Sequence, residues 1–145
     1  MTTVTPLRPD DRAAWEVLAR GYKAFYRTEV ADEDYARVWH RLLAGDAIHG
    51  LAARSGDTLV GITHYLFHAN VWSAGACYLQ DLYVAEQARG LGAARALIEA
   101  VADATRAHGA VRLYWNTMHD NTTARALYDK VAVHRGFVVY EHPLD

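Results

Sequence analysis

Apolar residues three or four apart predict helices in this chain, and apolar runs bounded by turn residues predict strands. Thr2 to Arg8 reads as a short strand ended by Pro9. Asp10 is placed to cap a helix carrying Trp15, Leu18, Tyr22 and Phe25 at helical spacing. Ala31 to Ala44 predicts a second helix, with Tyr35, Val38, Trp39 and Leu42 on one side and Gly45 as its stop. Ala47–Arg54 and Thr58–Phe67 read as strands joined across Ser55-Gly56-Asp57, a hairpin signal. A loop around Asn70–Gly75 leads to a strand from Cys77 to Val84. Leu91–His108 is an amphipathic helix burying Leu97, Ile98 and Val101 and closed by Gly109. Val111–Thr117 predicts a strand, Asn121–His134 a helix and Phe137–Glu141 a last strand. The order β-α-α-β-β-β-α-β-α-β mixes hairpins with βαβ crossovers. It predicts a single-domain α/β fold over residues 1–145, with a mixed, mostly antiparallel sheet flanked by helices.

Composition narrows the class. With 52% apolar and 22% charged residues, the 145-residue chain can bury a core of useful size. A net charge of −2 lacks the basic surplus of a nucleic-acid binder. The single cysteine, Cys77, excludes an intrachain disulfide and a thiolate metal cluster. The first residues show no signal-peptide pattern, and no apolar run approaches the roughly 20 residues of a membrane span. The expectation is a soluble cytoplasmic protein with neither nucleic-acid nor membrane partners. Of eight histidines, only His64 and His68 lie close in sequence, and on a strand four residues span about 13 Å, too far for one ion. No metal is expected.

Chemistry concentrates after the Cys77–Val84 strand, in Ala85-Glu-Gln-Ala-Arg-Gly-Leu-Gly-Ala-Ala-Arg95. There a strand stops, a glycine turn comes next and a long helix begins. The first N–H groups of a helix have no internal partner and carry partial positive charge. Gly90 and Gly92 remove side chains, so a phosphate can approach those groups, and Arg89 adds a guanidinium. By itself Gly-x-Gly is equally a tight connection. It is neither a dinucleotide fingerprint, since Arg95 stands where a third small residue belongs, nor a P-loop.

Gln87-x-x-Gly90-x-Gly92 resembles the Q/R-x-x-G-x-G/A motif of the GNAT superfamily of N-acetyltransferases. Asn121-Thr-Thr-Ala124-Arg-Ala-Leu127-Tyr128, with Gly136-Phe137 after it, resembles that superfamily's next signature. Tyr78-Leu-Gln80-Asp81-Leu-Tyr-Val84 is similar to the Y-L-E-D-x-x-V strand of spermidine/spermine and thialysine acetyltransferases, a branch in which the loop holding Trp72 is also aromatic. Leu113 to Thr117 and Leu127 to Ala132 are similar to the yeast histone and polyamine acetyltransferases.

The resemblance implies an enzyme that moves an acetyl group from acetyl-CoA to a primary amine, by direct attack in a ternary complex. It implies a cofactor site formed by Leu82, Tyr83, Val84, Gln87, Arg89, Gly90, Leu91, Gly92, Ala93, Ala94, Asn121, Tyr128 and Lys130. The pantetheine arm would pair with the Leu82–Val84 backbone, provided the sheet splays there and leaves amides free. Tyr128 matches the tyrosine that protonates the leaving thiolate, although its spacing also suits a plain helix face. Asn121 either contacts the pantetheine arm or caps its helix. The acceptor is polyamine-like or amino-acid-like, with Glu29, Trp72 and Gln80 at its site. Protein amines, and a non-catalytic acyl-CoA-binding domain, are the alternatives. A homodimer is implied as well.

The proton acceptor is the open point. An amine of pKa ~10.4 is deprotonated about one time in a thousand or fewer at neutral pH. The polyamine branch has glutamate where this chain has Gln80, and an amide takes no proton. Strand neighbours point to opposite faces, so Asp81 is not expected to substitute for Gln80. A water chain ending on Asp81 or Glu29 is the preferred account, with Glu33 and His64 as fallbacks and a structural role for Asp81 as the alternative.

Overall fold

The computed structural model describes residues 2–145. Five strands make one sheet in chain order: β1 (Thr2–Pro6), β2 (His49–Ser55), β3 (Thr58–His68), β4 (Ala76–Val84) and β5 (Arg112–Tyr114). The first four pair antiparallel, while β4 and β5 run parallel. Four helices flank them: α1 (Arg12–Phe25), α2 (Asp32–Ala44), α3 (Ala93–His108) and α4 (Thr122–Val131).

The sheet separates two packed layers. Toward α1 and α2, Trp15 is 1% exposed and lies 5.1 Å from Trp39 and 6.5 Å from Tyr35, centroid to centroid. Toward α3, Cys77 and Leu79 of β4 cluster with Ile98 and Val101. Such aromatic anchors dominate core energetics, and truncating a buried Trp costs about 3–5 kcal/mol.

Two irregularities of β4 shape the region around its second half. Along the β3–β4 ladder His64 pairs with Asp81 and Tyr65 with Leu79, so Gln80 is an extra residue, a β-bulge. On the other side, β4 pairs with β5 only at Ala76, Cys77 and Tyr78. Beyond Tyr78 the strand runs on to Val84 without a neighbour there. The parting begins beside the bulge, where a strand bends.

Expected and observed elements agree in order through α4, with some corrections. The turn before α1 is closed by Asp11 rather than Asp10: Asp11 Oδ2 accepts the Arg8 N–H at 2.7 Å. Buried Asp11 also receives both terminal nitrogens of Arg54, at 2.6 and 2.9 Å. Phe25 is 58% exposed, because α1 ends there and the chain turns away. No strand forms over 137–141, where Phe137 is 79% and Tyr140 91% exposed. Apolar residues make a strand only where a ladder receives them, and β5 carries no second partner.

Candidate functional site

The bulge at Gln80 decides the site. Before it, Cys77 and Leu79 face α3; after it, Tyr83 faces α1 and packs against Gly21. The extra residue shifts the alternation by one, and Gln80 and Asp81 line the same cavity. The expectation that they face apart is therefore corrected. A regular strand alternates; this one does not.

That cavity, of about 170 Å³, lies between α1, α2, β3 and β4. Asp81 lines it, with a side chain 19% exposed. His64 Nδ1 lies 2.9 Å from Asp81 Oδ2, and Trp15 Nε1–H donates to His64 Nε2 at 2.9 Å. Because Nε2 accepts from the indole, the proton of a neutral ring sits on Nδ1 and is donated to Asp81. Both ring nitrogens are thus engaged, and His64 is not poised as a base.

Burial alone would raise the Asp81 carboxyl. The hydrogen bond and charge of His64, supported by the Tyr22 phenol and the charge of Lys23, outweigh it and hold the group below the ordinary carboxylate value. The effect on Tyr22 is the converse: burial first, then the charge of Asp81, pushes its phenol well above the usual value. Burial and Asp81 also raise Tyr26, and burial raises Tyr78. Of these phenols, that of Tyr22 lines the cavity with Asp81. Burial likewise raises Tyr128 on α4, whose phenol lies within electrostatic reach of Tyr26. The Tyr128 ring meets Trp115 edge-on at 5.4 Å.

At the end of β4 the chain makes a short 3-10 turn, Glu86–Ala88, that holds exposed Gln87. Gly90 and Gly92 have φ of 82° and 86°, and a Cβ on either would meet nothing within 4 Å. Left-handed backbone, rather than crowding by the protein, requires glycine there. Gly92 is the N-cap of α3, so Ala93 and Ala94 supply its first N–H groups. Leu91 is 70% exposed. Arg89 donates Nε–H to the Val84 carbonyl at 3.1 Å, and its guanidinium lies 5.6 Å from the Tyr83 ring centroid. The β4 edge from Leu82 to Val84 thus leads directly into the turn.

Asn121 is the N-cap of α4, its Oδ1 accepting the Ala124 N–H at 3.3 Å. Lys130 is exposed on the same helix. Glu29 and Trp72 are not brought to the cavity. Glu29 is exposed in the loop between α1 and α2, and Trp72 is 93% exposed in the β3–β4 loop, at the opposite end of β4 from the glycine turn. Sequence reasoning does not single out Trp15, Tyr22, Lys23 or Tyr26 as site residues. The available signal is the helical stripe of Trp15 and Tyr22, which reads as core because a buried hydrogen bond leaves no mark on periodicity.

The acetyltransferase (GNAT) family model matches residues 15–132, and the chain belongs to that family. It is an acyltransferase. It is 35% identical over 143 residues to the D-amino-acid N-acetyltransferase HPA3 of Saccharomyces cerevisiae, covering 95% of this chain and 88% of the relative. Over a shorter 85 residues, 59% of this chain and 53% of the relative, it is 35% identical to the thialysine N-epsilon-acetyltransferase of Caenorhabditis elegans. Among solved structures, the ribosomal-protein-alanine N-acetyltransferase of Brucella melitensis superposes with a TM-score of 0.80 at 25% identity, covering 99% of this chain and 100% of that one.

Proposed function

We propose that the protein transfers an acetyl group from acetyl-CoA to a small primary amine, amino-acid-like or polyamine-like, by direct attack in a ternary complex. The observation that carries this reading is the gap between β4 and β5, which opens beyond Tyr78, runs beside Asp81 and ends at the glycine turn.

The residues present fit coenzyme A. Edge groups of Leu82–Val84, other than the Val84 carbonyl that accepts from Arg89, suit an amide-bearing arm, and the room above Gly90 and Gly92 admits a diphosphate to the first N–H groups of α3. Arg89 stands beside that turn, with Gln87 and Leu91 exposed next to it, and Lys130, exposed on α4, is available to a cofactor phosphate. When bound, acetyl-CoA supplies a thioester carbonyl open to an amine. A β4 backbone N–H polarises that carbonyl. Tyr128, kept neutral by burial, gives a proton to the departing sulfur. Asp81 remains ionised and holds the amine through charge, while Gln80 orients it as donor and acceptor. With His64 engaged on both nitrogens and Asp81 a weak base, the amine loses its proton to water along the cavity.

A spectrophotometric free-thiol assay with acetyl-CoA against a panel of amines tests this. Cys77, the chain's one cysteine, is buried and adds little background. A titration showing no affinity of the folded protein for coenzyme A or acetyl-CoA would overturn the reading.

A further inference from the structure

The cavity that holds Asp81 is not uniformly acidic, as a polycation site would be. Its lining includes two cationic side chains, Lys23 of α1 and Arg41 of α2. Among the described residues neither forms a salt bridge. The other acid in the lining, Asp34, is paired with Arg37 at 2.9 Å. Lys23 follows Tyr22 on α1, and both line the cavity with Asp81. The Asp81 carboxylate and a cation that forms no salt bridge thus line the same cavity. The rest of the wall is largely apolar and includes Val30, Val38, Leu42 and Ile48.

We infer that Lys23 is a specificity-determining residue that reads the carboxylate of an α-amino-acid acceptor, whose amine faces Asp81 and whose apolar side chain fills the space toward Leu42 and Ile48. This rests on the acyl-transfer reading and selects one substrate class within it. In an α-amino acid the ammonium and the carboxylate are attached to one shared carbon, so they need adjacent, opposite partners. A diamine brings a second cation to the same place, where Lys23 repels it and no further unpaired acid receives it. A buried or partly buried cation left unpaired is costly, so a carboxylate entering there gains more than one entering water-exposed surface.

The test compares acceptors that differ only in the carboxylate: phenylalanine, as both enantiomers, with phenethylamine, and lysine with cadaverine. The full chain carrying Lys23→Gln and Lys23→Arg is assayed beside the unsubstituted protein. We expect kcat/KM for the preferred phenylalanine enantiomer at least tenfold above phenethylamine. Lys23→Gln should lower the phenylalanine value at least tenfold more than the phenethylamine value, mainly through KM, and Lys23→Arg should restore most of it. Equal use of phenylalanine and phenethylamine, preference for cadaverine over lysine, or a parallel loss of both substrates in Lys23→Gln would overturn the assignment while leaving acyl transfer intact. Turnover of no amine at all would instead remove the acyl-transfer reading, and this inference with it.

Discussion

The indole N–H of Trp15 and the Nε2 of His64 meet at 2.9 Å across 49 residues of sequence. That bond fixes which nitrogen of His64 faces Asp81, and so joins the aromatic core beneath α1 to the floor of the cavity. Substituting His64 with leucine strands both the buried indole donor and one side of a largely buried carboxylate. Each orphaned group costs about 1–3 kcal/mol. Urea unfolding of His64→Leu should show a loss in that range or somewhat above it, with acceptor KM raised more than kcat is lowered.

Tyr128→Phe keeps the ring against Trp115 and removes only the hydroxyl. Turnover should fall at least tenfold, about 1.4 kcal/mol per decade, with little change in acetyl-CoA affinity by calorimetry. Full activity in this variant would refute its role as proton donor.

At Gly90 two substitutions separate strain from charge. Asparagine tolerates the left-handed backbone, so Gly90→Asn should bind coenzyme A with a moderate loss. Gly90→Asp places a negative charge at the same point and should abolish binding. Similar affinities for the two would place the diphosphate elsewhere.

The pH dependence is set by the same groups. Asp81 has its pKa held down and is ionised at every working pH, while Tyr128 has its pKa pushed up and stays protonated. Neither titrates between about pH 6 and 9. Log kcat/KM should therefore rise with a slope near one until the acceptor amine's own pKa is reached. A plateau near neutrality that is independent of the amine used would reveal a base in the protein.

Asp11 and Arg54 form a buried pair, with side chains each 8% exposed. Asp11→Ala leaves the guanidinium buried and unpaired, and should cost roughly 3–5 kcal/mol. The Arg54 hydrogen bond, more than offsetting burial, lowers the Asp11 pKa in the folded state. Its stabilisation is thus complete above the unfolded carboxylate pKa and is lost as pH falls through the folded one. Acid unfolding of Asp11→Asn should be less steep than that of the natural chain.

The element order was legible because each helix carries a clear apolar stripe and most of the turns from α2 to β5 carry a glycine. So was the glycine turn at the head of α3, since a strand, Gly90, Gly92 and a helix occur in that order. The acceptor side was not. Gln80 and Asp81 read as neighbours on opposite faces, because an extra residue in a ladder is set by the partner strand and is invisible in one strand's own pattern. Trp15 and Tyr22 read as core; Trp15 is, while its indole N–H also holds His64 in place, and Tyr22 is only half-buried in the cavity lining. Glu29 and Trp72 had suitable chemistry, but their loops carry them into solvent. Phe137 to Glu141 has the composition of a strand with no ladder to join.

Deleting Gln80 would convert the β3–β4 ladder into a regular one, because His64 faces Asp81 and Tyr65 faces Leu79 whether or not a residue lies between. Excising that single amide would leave every other side chain of the strand on its present face and the core undisturbed. It would also remove the bend that steers the strand away from its parallel neighbour. The shortened chain should fold with an intact interior and a zipped-up sheet, and its affinity for acetyl-CoA should be lost.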